Sequence, residues 1–205
     1  LIVTLFTICS AFSAEGDNIH DKKSSDFEYI ITSSNVGKVR YTKPSHSLKS
    51  VVIGDKTYTK PTLERSSYIS NPGEPSLPSS NTFIAVDPTK TYSINVNVFS
   101  SNIVEGVDIA PQGSWDNDSE NAAFTGELNY SNSYYPQTIA SISDMMTLRE
   151  LSVVNLTVSP FRYYPESKIL EEFTEVDIEL VEIGNNDNQV FIPQKRSRAF
   201  EPLYK

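Results

Sequence analysis

The chain has 205 residues, a net charge of −9 at pH 7 and a single cysteine, Cys9. The acidic balance argues against nucleic acid and anionic membrane as partners, because both repel a negative surface. One cysteine excludes an internal disulfide and a cysteine-built zinc site.

Residues 1–13 carry no charge and are mostly apolar (Leu1, Ile2, Val3, Leu5, Phe6, Ile8), with small residues at Ala11, Ser13 and Ala14. That pattern is a secretory apolar region followed by a cleavage zone. Ala11 and Ser13 suit the −3 and −1 positions, so cleavage is expected before Ala14. Cleavage before Glu15 would place Phe12 at −3, a poor fit. Two other readings are a buried strand and a lipoprotein signal at Cys9. The latter wants a small residue where Ile8 stands. No Met and no basic stretch precede the apolar run, so the first residues of the signal are expected to be missing. Its removal leaves about 190 cysteine-free residues, enough for one all-β domain.

Residues 14–25 form a polar leader, and residues 26–183 are expected to form the domain. Phe27, Tyr29 and Ile31 alternate with Glu28, Ile30 and Thr32, a strand pattern. Val39 with Tyr41, and Val51 with Ile53, predict two more short strands. Prolines at 61, 72, 75, 78 and 88 make the stretch around them a turn-rich connector, excluding a helix or a central strand. Tyr92, Ile94, Val96 and Val98 alternate with Ser93, Asn95 and Asn97, which marks a half-buried strand. Ile142 to Leu151 is the best helical candidate, without a stop signal. Leu156 with Val158, and Val176, Ile178 with Leu180, alternate again. They are predicted to be neighbouring antiparallel strands around a turn at Pro165-Glu166-Ser167. Short strands with polar and proline punctuation define an all-β, antiparallel, jelly-roll-like β-sandwich. Residues 184–205 are expected to be a linker.

Catalytic chemistry is hard to assemble. His20 lies in the leader and His46 in a Pro/Ser loop, with no cysteine left to pair with either. No nucleophile-elbow motif is present. Asp177 and Glu179 share one face of one predicted strand, which reads as a solvated face rather than a glycosidase pair. No cofactor and no metal are expected. The loop from Pro111 to Asn121 is the most unusual local feature, with the only tryptophan, Trp115, beside Asp116, Asn117 and Asp118. It reads as an exposed connection, as a loop presented to a partner's cleft, or as a calcium site. The calcium reading would use Asp116, Asp118, Glu120 and Glu127. It lacks the required glycine, Asn121 standing in its place, and flanking helices. The basic cluster Lys195, Arg196 and Arg198 is either solvated tail or a processing site.

The order of short motifs between Gly73 and Glu182 resembles the propeptide of gingipain-type secreted cysteine peptidases. The motifs are Gly73, Pro75, Leu77 and Pro78; Ala110-Pro111; Tyr134-Tyr135-Pro136; Pro160, Tyr163 and Pro165; and Thr174-Glu175-Val176. In the tail, Phe200-Glu201 and Tyr204-Lys205 resemble the junction with a catalytic domain. The resemblance implies a non-catalytic latency and folding domain whose partner is its own peptidase, blocked at the active-site cleft until cleavage. It also implies that the loop at Gln112–Asn121 enters that cleft. In arginine-specific members the loop offers a basic side chain, yet this chain has no lysine or arginine from Thr91 to Leu148. The blocking residues are therefore expected among Trp115, Asp116, Asn117 and Asp118. The contrasting reading is a secreted β-sandwich module that binds carbohydrate or a surface protein, through the Trp115 loop or Tyr130, Tyr134 and Tyr135. Either reading places the chain outside the cell or at its surface, free of the membrane once the signal is removed.

Overall fold

The computed structural model describes residues 26–31, 37–113, 130, 133–148 and 151–186. Among them every regular element is a strand. In chain order these are β1 (Phe27–Ile31), β2 (Gly37–Thr42), β3 (His46–Ile53), β4 (Lys56–Leu63), β5 (Ser67–Tyr68) and β6 (Pro78–Ala85). They continue with β7 (Lys90–Val104), β8 (Ala140–Ile142), β9 (Met146–Leu148), β10 (Leu151–Val158), β11 (Phe161–Tyr164) and β12 (Ile169–Asn185). One sheet runs β1-β2-β12-β11, with β7 also paired to β12; the second runs β5-β6-β10-β8, with β9 also paired to β10. β3 and β4 form a separate hairpin. All these ladders are antiparallel.

The period-2 patterns explain the two layers. Val176, Ile178 and Leu180 of β12 and Val39 and Tyr41 of β2 turn inward from one sheet. Ile84 of β6 and Val154, Leu156 and Val158 of β10 meet them from the other. Each such side chain contributes about 1.5–3 kcal/mol by leaving water. The tyrosines crossing this core have hydroxyl partners, as buried polar groups require. The Tyr41 hydroxyl is 3.1 Å from Ser80 Oγ, and the Tyr29 hydroxyl is 2.9 Å from Thr82 Oγ1. A second core lies at one end of the molecule, built from Leu63, Leu77, Val107, Ile109, Phe161, Tyr163 and Leu170.

The antiparallel sandwich expected from the sequence forms, with local differences. The strands at Leu156–Val158 and Val176–Leu180 are not neighbours. The chain changes sheets at Ser159-Pro160, where Ser159 N–H donates to Ile139 O and Phe173 N–H to Pro160 O. The two runs therefore face each other across the core. The hairpin partner of β12 is β11, Phe161 lying opposite Glu172, across the turn that does fall at Pro165-Glu166-Ser167. The helical candidate at Ile142–Leu151 contributes to three strands instead, because its apolar residues pair against and beside β10. The proline-rich connector also contains strand. Pro61 lies in the hairpin strand β4 and Pro78 is the first residue of β6, positions where a missing N–H is tolerated. β12 continues past Ile183 through Gly184 to Asn185, with a register shift at Gly184 against Thr91. A Cβ there would come within 3.2 Å of Thr91 Oγ1.

Candidate cleft-binding site

Trp115, Asp116, Asn117 and Asp118 lie outside the described residues, as do Lys195, Arg196, Arg198, the signal segment and the polar leader. The structure does describe both limbs of the loop that carries Trp115. The outgoing limb is the extended segment 107–113. The returning limb includes Tyr130 and residues 133–137.

The outgoing limb is held along one edge by two successive partners. Thr59 N–H of β4 donates to Asp108 O at 2.6 Å, and Ala110 N–H donates to Thr59 O at 2.8 Å, a parallel bridge. Beyond it the segment 73–76 takes over. Ser76 N–H donates to Ala110 O (2.8 Å), Gln112 N–H to Glu74 O (2.7 Å) and Gly73 N–H to Gln112 O (2.9 Å). The Ser76 hydroxyl adds a bond to Gln112 Oε1 at 2.7 Å. Gly73 sits at φ 88°, a conformation glycine adopts without steric cost, and this lets the turn at Asn71–Glu74 feed the ladder. Gln112 is thus fixed one residue before Gly113.

The returning limb is fixed by aromatic residues. Tyr130 packs edge-on against Tyr163, centroids 6.1 Å apart, and its hydroxyl donates to Ile109 O at 2.5 Å. Tyr135 exchanges backbone hydrogen bonds with Tyr163 at 2.9 and 2.7 Å. Tyr134 stacks near Tyr164, centroids 5.9 Å apart, under the Arg162 guanidinium 4.8 Å away. The Arg162 guanidinium also donates to Pro136 O (3.4 Å) and Gln137 O (3.3 Å). Burial pushes the hydroxyls of Tyr130, Tyr135 and Tyr163 above the usual phenol range, so they remain neutral donors. Asp108 closes the frame from below. Its carboxylate accepts from Lys168 at 2.9 Å and lies 3.5 Å from Lys56, and the Lys168 hydrogen bond holds its pKa below the usual range.

Elsewhere the structure corrects two readings. His46 is the first residue of β3, not part of a loop, and both its ring nitrogens are engaged. Nδ1 is 2.8 Å from Lys43 Nζ, and Nε2 is 2.8 Å from Glu172 Oε1. The ammonium can only donate, so Nδ1 accepts and Nε2 carries the proton. No ring nitrogen is left to act as a base on a substrate. Asp177 is not on a solvated face. It is 2% exposed, held by Arg40 at 2.8 Å and Lys38 at 2.5 Å, while Glu179 beside it is exposed. Sequence alternation places Asp177 on the outward face correctly. It does not show that cross-strand cations fold over that face.

Tyr130, Tyr134 and Tyr135 are half-buried and occupied within the frame, so they do not present an open aromatic platform. No group of three or more His, Cys, Asp or Glu residues suited to a metal ion occurs among the described residues. What the arrangement provides is a mechanical base: four of the five sequence motifs meet in it. Gly73–Pro78 and Ala110-Pro111 form the ladder, and Tyr134-Tyr135-Pro136 docks on the Pro160–Pro165 stretch through Tyr163. Only Thr174-Glu175-Val176 lies apart, at the irregular register between β12 and β7.

Among the described residues the domain is all-β, with a braced loop base built on the second core. The pattern of the Propeptide_C25 family matches residues 23–203, and the chain belongs to that family of peptidase propeptides, non-catalytic segments of the C25 peptidases. Among curated proteins, Gingipain R1 of Porphyromonas gingivalis is 26% identical over 180 residues, covering 85% of this chain and 18% of the relative. Gingipain R2 of the same species is 27% identical over 180 residues, covering 83% of this chain and 24% of the relative. The chain thus spans less than a quarter of the length of these relatives. The solved complex of Porphyromonas gingivalis RgpB pro- and mature domains superposes with a TM-score of 0.72 at 23% identity, over 89% of this chain and 95% of that one. A structure addressing the zymogenic latency of gingipain K from the same organism gives 0.64 at 18% identity, over 80% of this chain and 96% of that one. These likenesses establish the fold.

Proposed function

We propose that this chain keeps its own C25-type peptidase latent by placing the loop between Gln112 and Tyr130 across the active-site cleft, and that it assists the folding of that peptidase. The observation that carries this reading is the convergence of the family's motifs on the base of one loop, which holds Gln112 and Tyr130 in fixed positions. The catalytic domain would be the partner, as the RgpB complex of pro- and mature domains illustrates for that protein.

The loop's chemistry separates this chain from an arginine- or lysine-directed inhibitor. With no cation from Thr91 to Leu148, it has nothing to neutralise an anionic specificity pocket. A carboxylate buried unpaired in such a pocket would cost several kcal/mol. The loop therefore blocks either through Asp116 or Asn117 in a pocket that accepts an acid or amide, or through Trp115 as a bulky anchor. Latency ends by cleavage near Lys195, Arg196 or Arg198, after export directed by residues 1–13.

Alanine substitution at Trp115, Asp116 and Asn117 separately tests the reading, with inhibition of the cognate catalytic domain as readout. At least one substitution is expected to weaken inhibition by about tenfold or more. Unchanged inhibition by all three would remove the loop from the mechanism.

A further inference from the structure

The backbone of the outgoing limb is satisfied unevenly. Asp108, Ala110 and Gln112 direct their backbone groups to one edge, where Thr59 and then Glu74, Ser76 and Gly73 meet them. Strand alternation turns the groups of Ile109 to the opposite edge. Ile109 is fully buried, so both groups require partners. No strand lies there among the described residues. A tyrosine supplies the partner of the carbonyl: Ile109 O accepts from the Tyr130 hydroxyl at 2.5 Å. Pro111, next along this edge, has no N–H to satisfy.

We propose that Tyr130 is the positioning residue of the loop, its hydroxyl standing where a neighbouring strand's amide would donate and so tying the returning limb to the outgoing one. This rests on the reading of the intervening residues as the cleft-binding loop. Tyr163, against which the Tyr130 ring packs, belongs to β11 and so to the scaffold. Tyr130 belongs to the loop's own return, so among the described residues its bond ties the two limbs directly to each other. A loop with its ends held loses less conformational freedom on entering a cleft than one hinged at a single end.

Tyr130→Phe removes the hydroxyl and keeps the ring against Tyr163. Amide hydrogen exchange of the full chain reads the local effect without any partner. Exchange at Ala110 and Gln112 is expected to accelerate about tenfold, with the β10 amides of Val154 and Leu156 unchanged. Inhibition of the cognate catalytic domain by the same variant is expected to weaken by a similar factor. No acceleration at Ala110 and Gln112 overturns the proposal. So does equal acceleration throughout the sandwich, which would make Tyr130 an ordinary packing residue. Local acceleration with full inhibition also overturns it, provided that the Trp115, Asp116 and Asn117 variants do weaken inhibition. If those three variants inhibit normally while the local acceleration is seen, the tie between the limbs stands and the cleft-binding assignment falls.

Discussion

Asp177 shows how much of a residue's character is set by its cross-strand neighbours. The register places it opposite Arg40 of β2, and Lys38 lies one step along, opposite Glu179. Both cations lay their stems over the sheet and reach the carboxylate, with Arg40 also 5.5 Å from the Phe99 ring centroid. The Arg40 hydrogen bond, followed by those from Lys38, holds the Asp177 pKa below the ordinary carboxylate value. The folded state therefore resists protonation more than the unfolded chain does. The resulting stability is present above the unfolded value near pH 4 and is lost as pH falls through the lower folded value. Asp108, depressed by Lys168, acts in the same direction. The melting temperature is expected to drop as pH is lowered below about 4, and Asp177→Asn to flatten part of that slope. At neutral pH the same substitution is expected to cost about 1 kcal/mol in urea unfolding, since both cations retain access to water.

At the scale of elements, alternation identified the core-facing residues of β1, β2, β7, β10 and β12, except that Val96 of β7 is exposed and that Val153 of β10 and Asp177 of β12 are buried on the opposite faces. It failed where pairing is decided by distant partners. Nothing local in Leu156–Val158 says that its ladder partner is Ser80–Thr82 rather than β12. That choice follows from the sheet change at Ser159-Pro160. Ile142–Leu151 mimics a helical face because three short strands are read end to end. Gly54-Asp55 is a local hairpin signal that the alternation of Val51 and Ile53 does not carry. Gly54 at φ 62° opens the two-residue loop between β3 and β4, the geometry of a II′ hairpin. At the site, the motifs were readable, but their meeting place was not, because Gly73, Ala110, Tyr135 and Tyr163 are far apart in the chain. The two faces of the β7–β12 ladder give a direct check. Leu170→Ala, in the second core beside Val104, is expected to destabilise by about 2–5 kcal/mol. Ile103→Lys, one residue away on the other strand and 54% exposed, is expected to change stability by less than about 0.5 kcal/mol. Chemical denaturation of both variants measures the contrast.

At the scale of the whole molecule, the fold separates a two-sheet scaffold from the braced base of the segment proposed to meet the peptidase. The sandwich core lies between the sheets, and the braced base lies in the second core at one end. Composition supplies a reporter for that division, because Trp115 is the only tryptophan. Its emission is expected to shift to the blue when the chain docks on its peptidase and to remain unshifted with an unrelated cysteine peptidase. An unshifted spectrum in a complex of demonstrated stoichiometry would place Trp115 outside the contact.

The pairing of β7 with β12, over nearly the whole length of both, bears on how such a domain is dismantled. β6 and β7 precede the loop, while β10 and β12 follow it, so each sheet is woven from both halves of the chain. A protease that cuts the loop once severs the covalent thread and leaves two fragments interleaved strand by strand. The cut product is expected to migrate as one species on a native gel and as two under denaturing conditions. Scission there would open the loop and spare the body, so if the chain sits on its peptidase as proposed, releasing it would need further cuts or dissociation of the whole nicked domain.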